Sequence, residues 1–198
     1  SGLQAVAMAR QALLAGEADV VVAGGMESMS RAPFLLTSHR GGKKYGHDKM
    51  LDHMALDGLE DAYEGLAMGV YADQAAKDYQ LTRTSQDAYA LETLTRAQSA
   101  TSEGRFKREI AAIELKGGAP IDTDELPRKA KPEKIPSLKP AFTDGGTVTA
   151  ANASAISDGA AALVLMRERD AREQGKTIIA RVVAQSSHAQ EPAKFTSA

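Results

Sequence analysis

Apolar residues recur along the first fifteen positions at helical spacing. Leu3, Val6, Ala7, Ala9, Leu13 and Leu14 fall on one stripe, which predicts a helix over 3–15. Gly16 follows as a C-terminal stop. The pattern then becomes continuous. "ADVVVAGG" predicts a short buried strand from Asp19 to Ala23, ended by Gly24 and Gly25. A helix, a one-glycine turn and an all-apolar strand imply an α/β layer with a covered sheet.

From Met29 to about Phe142 the pattern changes. "HRGGKKYGHDKM" is polar and glycine-rich, as in a surface loop. A helix is predicted from Met68 to Tyr79, and a stronger one from Thr84. Thr84 with Asp87 resembles a capping box, and Ala88, Leu91, Leu94 and Ala97/Gln98 form its face. "REIAAIEL" alternates like a strand. The stretch 122–140 carries four of the seven prolines and reads as extended loop. The apolar character returns at 161–166, a buried-strand candidate. A short polar helix stopped by Gly175 follows, and "TIIARVVAQSSHA" predicts another strand. A helix-and-loop insertion thus separates two pieces of one sheet layer. The chain reads as the middle of something larger.

Composition narrows the class. The 198 residues are 43% hydrophobic, enough for a core, and the net charge of -2 supplies no general attraction to nucleic acid or anionic membrane. The absence of cysteine excludes disulfides, thiolate metal sites and a thiol nucleophile within this chain. No apolar run approaches a membrane span. Arg10 and Gln11 interrupt the N-terminal stripe, unlike a signal peptide. A soluble, cytoplasmic protein is expected, without nucleic-acid or membrane partners.

Two motifs invite chemistry. In "TVTAANASAISDG", Ala150, Ala151, Ala153 and Ala155 lack bulk, so a ligand could lie along the backbone beside the Ser154 hydroxyl. The same residues also suit a turn closed by local Asn, Ser and Asp hydrogen bonds, the commoner use of these side chains. In "AGGMESMSRAP", the glycine pair permits a sharp turn or a close approach. Glu27 there suits a general base or, more commonly, a structural carboxylate. His39, His47, His53 and His188 lack metal-ligand spacing and read as exposed, so no metal site is expected. Arg128, Lys129, Lys131, Lys134 and Lys139 suit either a phosphate or a solvated loop. Met68 suits a soft, adaptable wall or the core.

Taken together, these segments resemble the thiolases, the acyl-CoA acetyltransferases. The similarity runs in family order through "SGLQAVAMARQALLAGEADVVVAGGMESMS", "MGVYADQAAKDYQLTRTSQDAYAL", "EGRFKREIAAIEL" and "LKPAFTDGGTVTAANASAISDGAAALVLM". It implies an α/β fold: part of a thiolase-like layered α/β/α core with an inserted, mainly helical loop domain. Residues 1–28 would belong to the N-terminal core domain and 29–156 to the loop domain. Residues 157–170 would form the return strand, and 171–198 the start of the C-terminal domain.

The resemblance also implies the site. Ser1 and Gly2 match the Ser-Gly of the family's Cys-x-Ser-Gly pattern, which puts the nucleophilic cysteine two residues before Ser1 and leaves no catalytic residue in the chain itself. A helix N-terminus there would favour the thiolate. Ser154 matches the serine that contacts the pantetheine arm of coenzyme A, with Ala150 beside the arm and Phe142 near the adenine end. Leu59 and Met68 match other residues lining that site, and Arg128 a phosphate contact.

Ala67 stands where many members carry histidine, and Ala155 and Ser157 replace the common Gly and Asn. The family's Asn-Glu-Ala-Phe motif, Gly-His-Pro histidine and second cysteine have no counterpart here. The implied activity is thiolytic cleavage, or Claisen-type formation, of 3-ketoacyl-CoA in fatty acid metabolism. Coenzyme A thioesters would be the substrates, acyl-CoA and acetyl-CoA, with no covalent cofactor, in a homodimer or homotetramer. The alternative is a non-catalytic coenzyme A binding or assembly module from a truncated gene.

Overall fold

The computed structural model describes residues 2–198. In chain order the elements are α1 (Gly2–Ala15), β1 (Val20–Ser28), β2 (Phe34–Leu35), β3 (Leu51–Asp52), α2 (Met68–Asp78), α3 (Arg83–Ser102), α4 (Glu125–Lys129), β4 (Asp158–Met166) and α5 (Glu168–Glu173). They fall into two compact units. One comprises the chain up to Ala62 with Ile156–Thr196 and Ala198, and the other Tyr63–Ala155 with Ser197. No helix among the described residues is long and apolar enough to cross a membrane.

In the first unit α1 packs on the antiparallel pair β1–β4 and buries Ala9 and Leu13. Gly16, at φ 74°, ends α1. Its N–H donates to Leu13 O at 3.3 Å and that of Glu17 to Ala12 O at 3.0 Å, the paired bonds of a Schellman stop. The Arg167 guanidinium, one residue before α5, donates to Leu13 O at 3.0 Å and Ala18 O at 3.1 Å, and pairs with Asp19 and Asp170. It thereby satisfies a carbonyl at the end of α1 and joins that end to α5. Bonds to the Asp19 and Asp170 carboxylates hold its pKa above the ordinary arginine value.

β1 departs from the expected strand. It continues through Gly24 and Gly25 to Ser28, with Val20 opposite Met166 and Ser28 opposite Asp158. The glycines serve close approach instead of a turn: β4 backbone crowds Gly24, and Gly2 lies against Gly25. The covered sheet is not observed either. Among the described residues of the pair only Ala23 is buried, and Val22 and Val164 are 68% and 72% exposed. The segment 177–189 forms no strand, because among the described residues no strand pairs with it. "REIAAIEL" reduces to a single antiparallel bridge, in which Ile113 and Ile121 exchange both N–H···O bonds at 2.9 Å.

The far end of the β1–β4 ladder is closed by Asp158. Its carboxylate accepts the Ser30 N–H at 2.9 Å and the Ser30 hydroxyl at 2.5 Å. Those two bonds, the hydroxyl's foremost, hold its pKa below the usual carboxylate range. A depressed native pKa contributes stability that is complete above the unfolded-state value, about 3.9. That contribution is lost as pH falls through the native value. The urea midpoint of the wild type should therefore fall more steeply below about pH 4 than that of Asp158→Asn. Parallel curves for the two proteins would refute this.

The second unit carries α2, α3 and α4. α2 buries Gly69, Tyr71 and Ala76. α3 begins one residue before the predicted start. Thr82, not Thr84, is the N-cap, its hydroxyl accepting the Ser85 N–H at 3.1 Å. Of the predicted face Leu91, Leu94 and Ala97 are half-buried and Ala88 is exposed, while Asp87 and Ala90 are the buried residues beside them. Arg83 pairs with Asp87 at 2.7 Å and donates to Ile135 O at 2.9 Å. The proline-rich stretch is not extended. It holds α4 and a 3-10 segment at Pro132–Ser137, which packs against α3. Prolines at 132 and 136 fix φ at values the tight helix tolerates.

Candidate functional site

The second unit carries Met68, Arg128, Phe142, Ala150 and Ser154. α2 starts at Met68, and its N-cap Ala67 makes no side-chain capping bond. Gly69 follows, buried under the Phe142 ring. A Cβ at Gly69 would stand 2.2–2.3 Å from three ring carbons, so only glycine lets the ring settle there. Met68 stands one residue before the glycine on which the Phe142 ring rests. Phe142 is still 42% exposed and offers part of its ring to solvent.

Residues 141–148 form a closed loop, with the Ala141 N–H donating to Val148 O at 2.9 Å. The Asp73 carboxylate, one helical turn beyond Gly69, reaches into it. It accepts the Thr143 hydroxyl at 2.6 Å, the Thr147 N–H at 2.7 Å and the Val148 N–H at 2.9 Å. A Cβ at Gly146 would lie 2.4 Å from the Asp73 oxygen, so the loop closes on the carboxylate only where the chain is bare.

Beyond Val148 the backbone turns on Thr149, which is fully buried. Thr149 O accepts the N–H groups of Asn152 and Ala153 at 3.2 and 2.9 Å, and Asn152 Oδ1 accepts the Thr149 N–H at 2.7 Å. The Asn152 amide also donates to Thr147 O at 3.1 Å and Asp87 at 3.4 Å, tying the turn to α3. The local-turn reading of the small-residue motif is therefore correct for Asn152. The turn leaves Ala150 and Ser154 exposed. The Ser154 hydroxyl has no hydrogen-bond partner among the described residues.

Arg128 sits exposed on α4, which Gln98 of α3 anchors through a 2.8 Å bond to Pro127 O. Its neighbour Lys129 pairs with Glu125. Leu59 ends a π-helical turn in the first unit. Ser1 lies outside the described residues. Glu27 is exposed, and its carboxylate accepts the adjacent Ser28 N–H at 3.1 Å. His39 and His53 are partly exposed but partnered, with Asp48 at 2.9 Å and Asp57 at 3.3 Å. Among the described residues no group of three or more His, Asp or Glu is arranged to hold a metal ion.

A groove of about 840 Å³ opens between α2 and the 143–147 turn, lined by Val70, Asp73, Lys77, Leu81, Thr143 and Gly146 among others. Met68, Arg128, Phe142, Ala150 and Ser154 do not line it. The roles of Gly69 and Asp73 went unrecognised in the sequence. The one available signal was a buried-face acid at Asp73, four residues after a glycine.

This is an α/β chain with one unit of two antiparallel strand pairs, the larger backed by α1, and a second unit that carries α2, α3 and α4 and presents small residues and the Phe142 ring. Comparison with known proteins defines the class further. The family model "Thiolase, N-terminal domain" matches residues 1–169. The chain belongs to the thiolase family.

It is 42% identical to the acetyl-CoA acetyltransferase of Saccharomyces cerevisiae over 202 residues, covering 99% of this chain and 51% of that protein. With the acetyl-CoA acetyltransferase of Thiocystis violacea it shares 46% identity over 198 residues, 98% of this chain and 50% of that one. The crystal structure of Acat5 thiolase from Ascaris suum in complex with coenzyme A superposes with a TM-score of 0.90 at 40% identity. That match covers 99% of this chain and 50% of the other. The chain spans about half the length of the relatives it matches.

Proposed function

We propose that the chain supplies the coenzyme A-contacting part of an acyl-CoA C-acyltransferase. The observation that carries this is the second-unit surface, where the Phe142 ring rests on Gly69 beside Met68 and a small-residue turn leaves Ala150 and Ser154 exposed. A narrow pantetheine arm can lie along such a turn, because no side chain at Ala150 stands above a methyl group. The Ser154 hydroxyl can donate to or accept from an amide of the arm. The Phe142 face suits the adenine ring by stacking. Met68 supplies apolar wall, and Arg128 a cation for phosphate.

The reaction is ping-pong acyl transfer. A cysteine two positions ahead of Ser1, at the N-terminus of α1, attacks the acyl-CoA carbonyl and releases coenzyme A as the thiol. The α-carbanion of acetyl-CoA then attacks the enzyme thioester, forms the carbon–carbon bond and expels the cysteine thiolate. Thiolysis is the reverse. Within this chain α1 supports the nucleophile, and the close contact of Gly25 with Gly2 fixes the helix start against β1. The acid and base of the reaction lie outside these residues. Residues 29–156 act as the loop domain, which also contributes to a homo-oligomer.

Calorimetric titration with coenzyme A tests the binding, and acetoacetyl-CoA thiolysis tests the chemistry. The expected result is saturable binding by the 198-residue chain, with no acyl adduct in its mass after exposure to acetyl-CoA. Thiolysis should appear only in a longer chain carrying the cysteine. Absence of binding would overturn the proposal. Binding without turnover in that longer chain would favour a non-catalytic module.

A further inference from the structure

The Asp73 carboxylate is spent entirely inside the second unit. It does not reach the exposed surface of Phe142, Ala150 and Ser154, yet it holds the chain on which those residues stand. Its three bonds run to Thr143, immediately after Phe142, and to Thr147 and Val148, immediately before the Thr149 turn. Gly69 and Asp73 are four residues apart and so share one face of α2. The ring rests on the first and the loop closes on the second.

We propose that Asp73 is a positioning residue for coenzyme A: by clamping residues 143–148 to α2, it sets the Phe142 ring and the Ala150–Ser154 turn in register with each other. This rests on the coenzyme A reading above and deepens it.

The chemistry of the three donors defines the test. In Asp73→Asn, the amide oxygen keeps both backbone N–H groups of Thr147 and Val148. The amide nitrogen replaces the second oxygen and donates to the Thr143 hydroxyl, which can turn to accept. Asp73→Ala loses all three bonds and leaves two backbone N–H groups without an acceptor. Ala76→Gly, buried on the same helix, lowers helix stability while leaving the Asp73 carboxylate and its three donors in place. It therefore serves as the control for destabilisation alone.

Coenzyme A affinity by calorimetry and Tm are measured for the four proteins. Asp73→Ala should bind about tenfold more weakly, with Asp73→Asn recovering to within about threefold of wild type. Ala76→Gly should lower Tm and leave affinity unchanged. Equal affinity of Asp73→Ala and wild type would overturn the positioning role alone. So would a loss of affinity in Ala76→Gly that matches its loss in Asp73→Ala. Failure of the wild type to bind coenzyme A would overturn the underlying reading as well.

Discussion

Alanine at Gly24 should open the glycine half of the β1–β4 ladder. Its Cβ would lie 2.0 Å from the Ala161 carbonyl oxygen and 2.9 Å from Ala162 Cα. Both obstacles are backbone of the paired strand, Ala162 being the register partner of Gly24. No rotamer can relieve them, so the strands must part. Overpacking of this kind costs about 3 kcal/mol.

Gly25→Ala is the internal comparison. Its Cβ would meet Gly2 Cα at 3.4 Å, tight but tolerable with a small shift. The urea midpoint should therefore fall far more in Gly24→Ala than in Gly25→Ala. In the first variant, amide exchange should accelerate from Gly24 to Ser28 and stay slower from Val20 to Ala23. Equal midpoints for the two variants would refute this account of the strand.

The helices were the legible part of this chain. α1 follows from apolar spacing plus the Gly16 stop, and α5 from a short polar run before Gly175, because a helix satisfies its backbone within itself. Strands do not: the readings at 19–23 and 161–166 fall on β1 and β4, whereas those at 108–115 and 177–189 form no strand. Two apolar runs had equal claims to be strands, 161–166 and 177–189, but only the first finds β1 as a partner. The glycine pair looked like a strand terminus. It is a place where β4 leaves no room for a side chain at Gly24 and the start of α1 approaches Gly25. Local spacing carries no record of such a neighbour.

The site divides in the same way. Small residues around Ser154 announced either a local turn or a close ligand. The local turn is present, made by Thr149 and Asn152, bonding over at most three or four positions. The clamp at Asp73 was invisible because its partners lie 70 to 75 residues away. Asp87 was left off the face assigned to α3, where Leu91, Leu94 and Ala97 are indeed half-buried, because an acid is allowed there only when Arg83 and Asn152 supply its partners.

The second large effect is expected at Gly69, where stability and binding should separate. An alanine methyl there cannot coexist with the Phe142 ring, at 2.2–2.3 Å from three of its carbons. Unlike the carbonyl facing Gly24, the ring belongs to a side chain 42% exposed, and it can rotate off the helix. Alanine meanwhile favours the helix over glycine by about 1 kcal/mol, which offsets the lost ring contact. The Tm of Gly69→Ala should thus stay close to wild type. The displaced ring should no longer offer its face to adenine, and coenzyme A should bind about tenfold more weakly, within the range of a lost base–aromatic stack.

Phe142→Ala supplies the cross-check. If the ring is the only thing Gly69 positions, the double variant should bind no more weakly than Phe142→Ala alone. Additive losses would mean that Gly69 acts on the site by another route. Unchanged affinity in Gly69→Ala would remove Phe142 from the binding surface altogether.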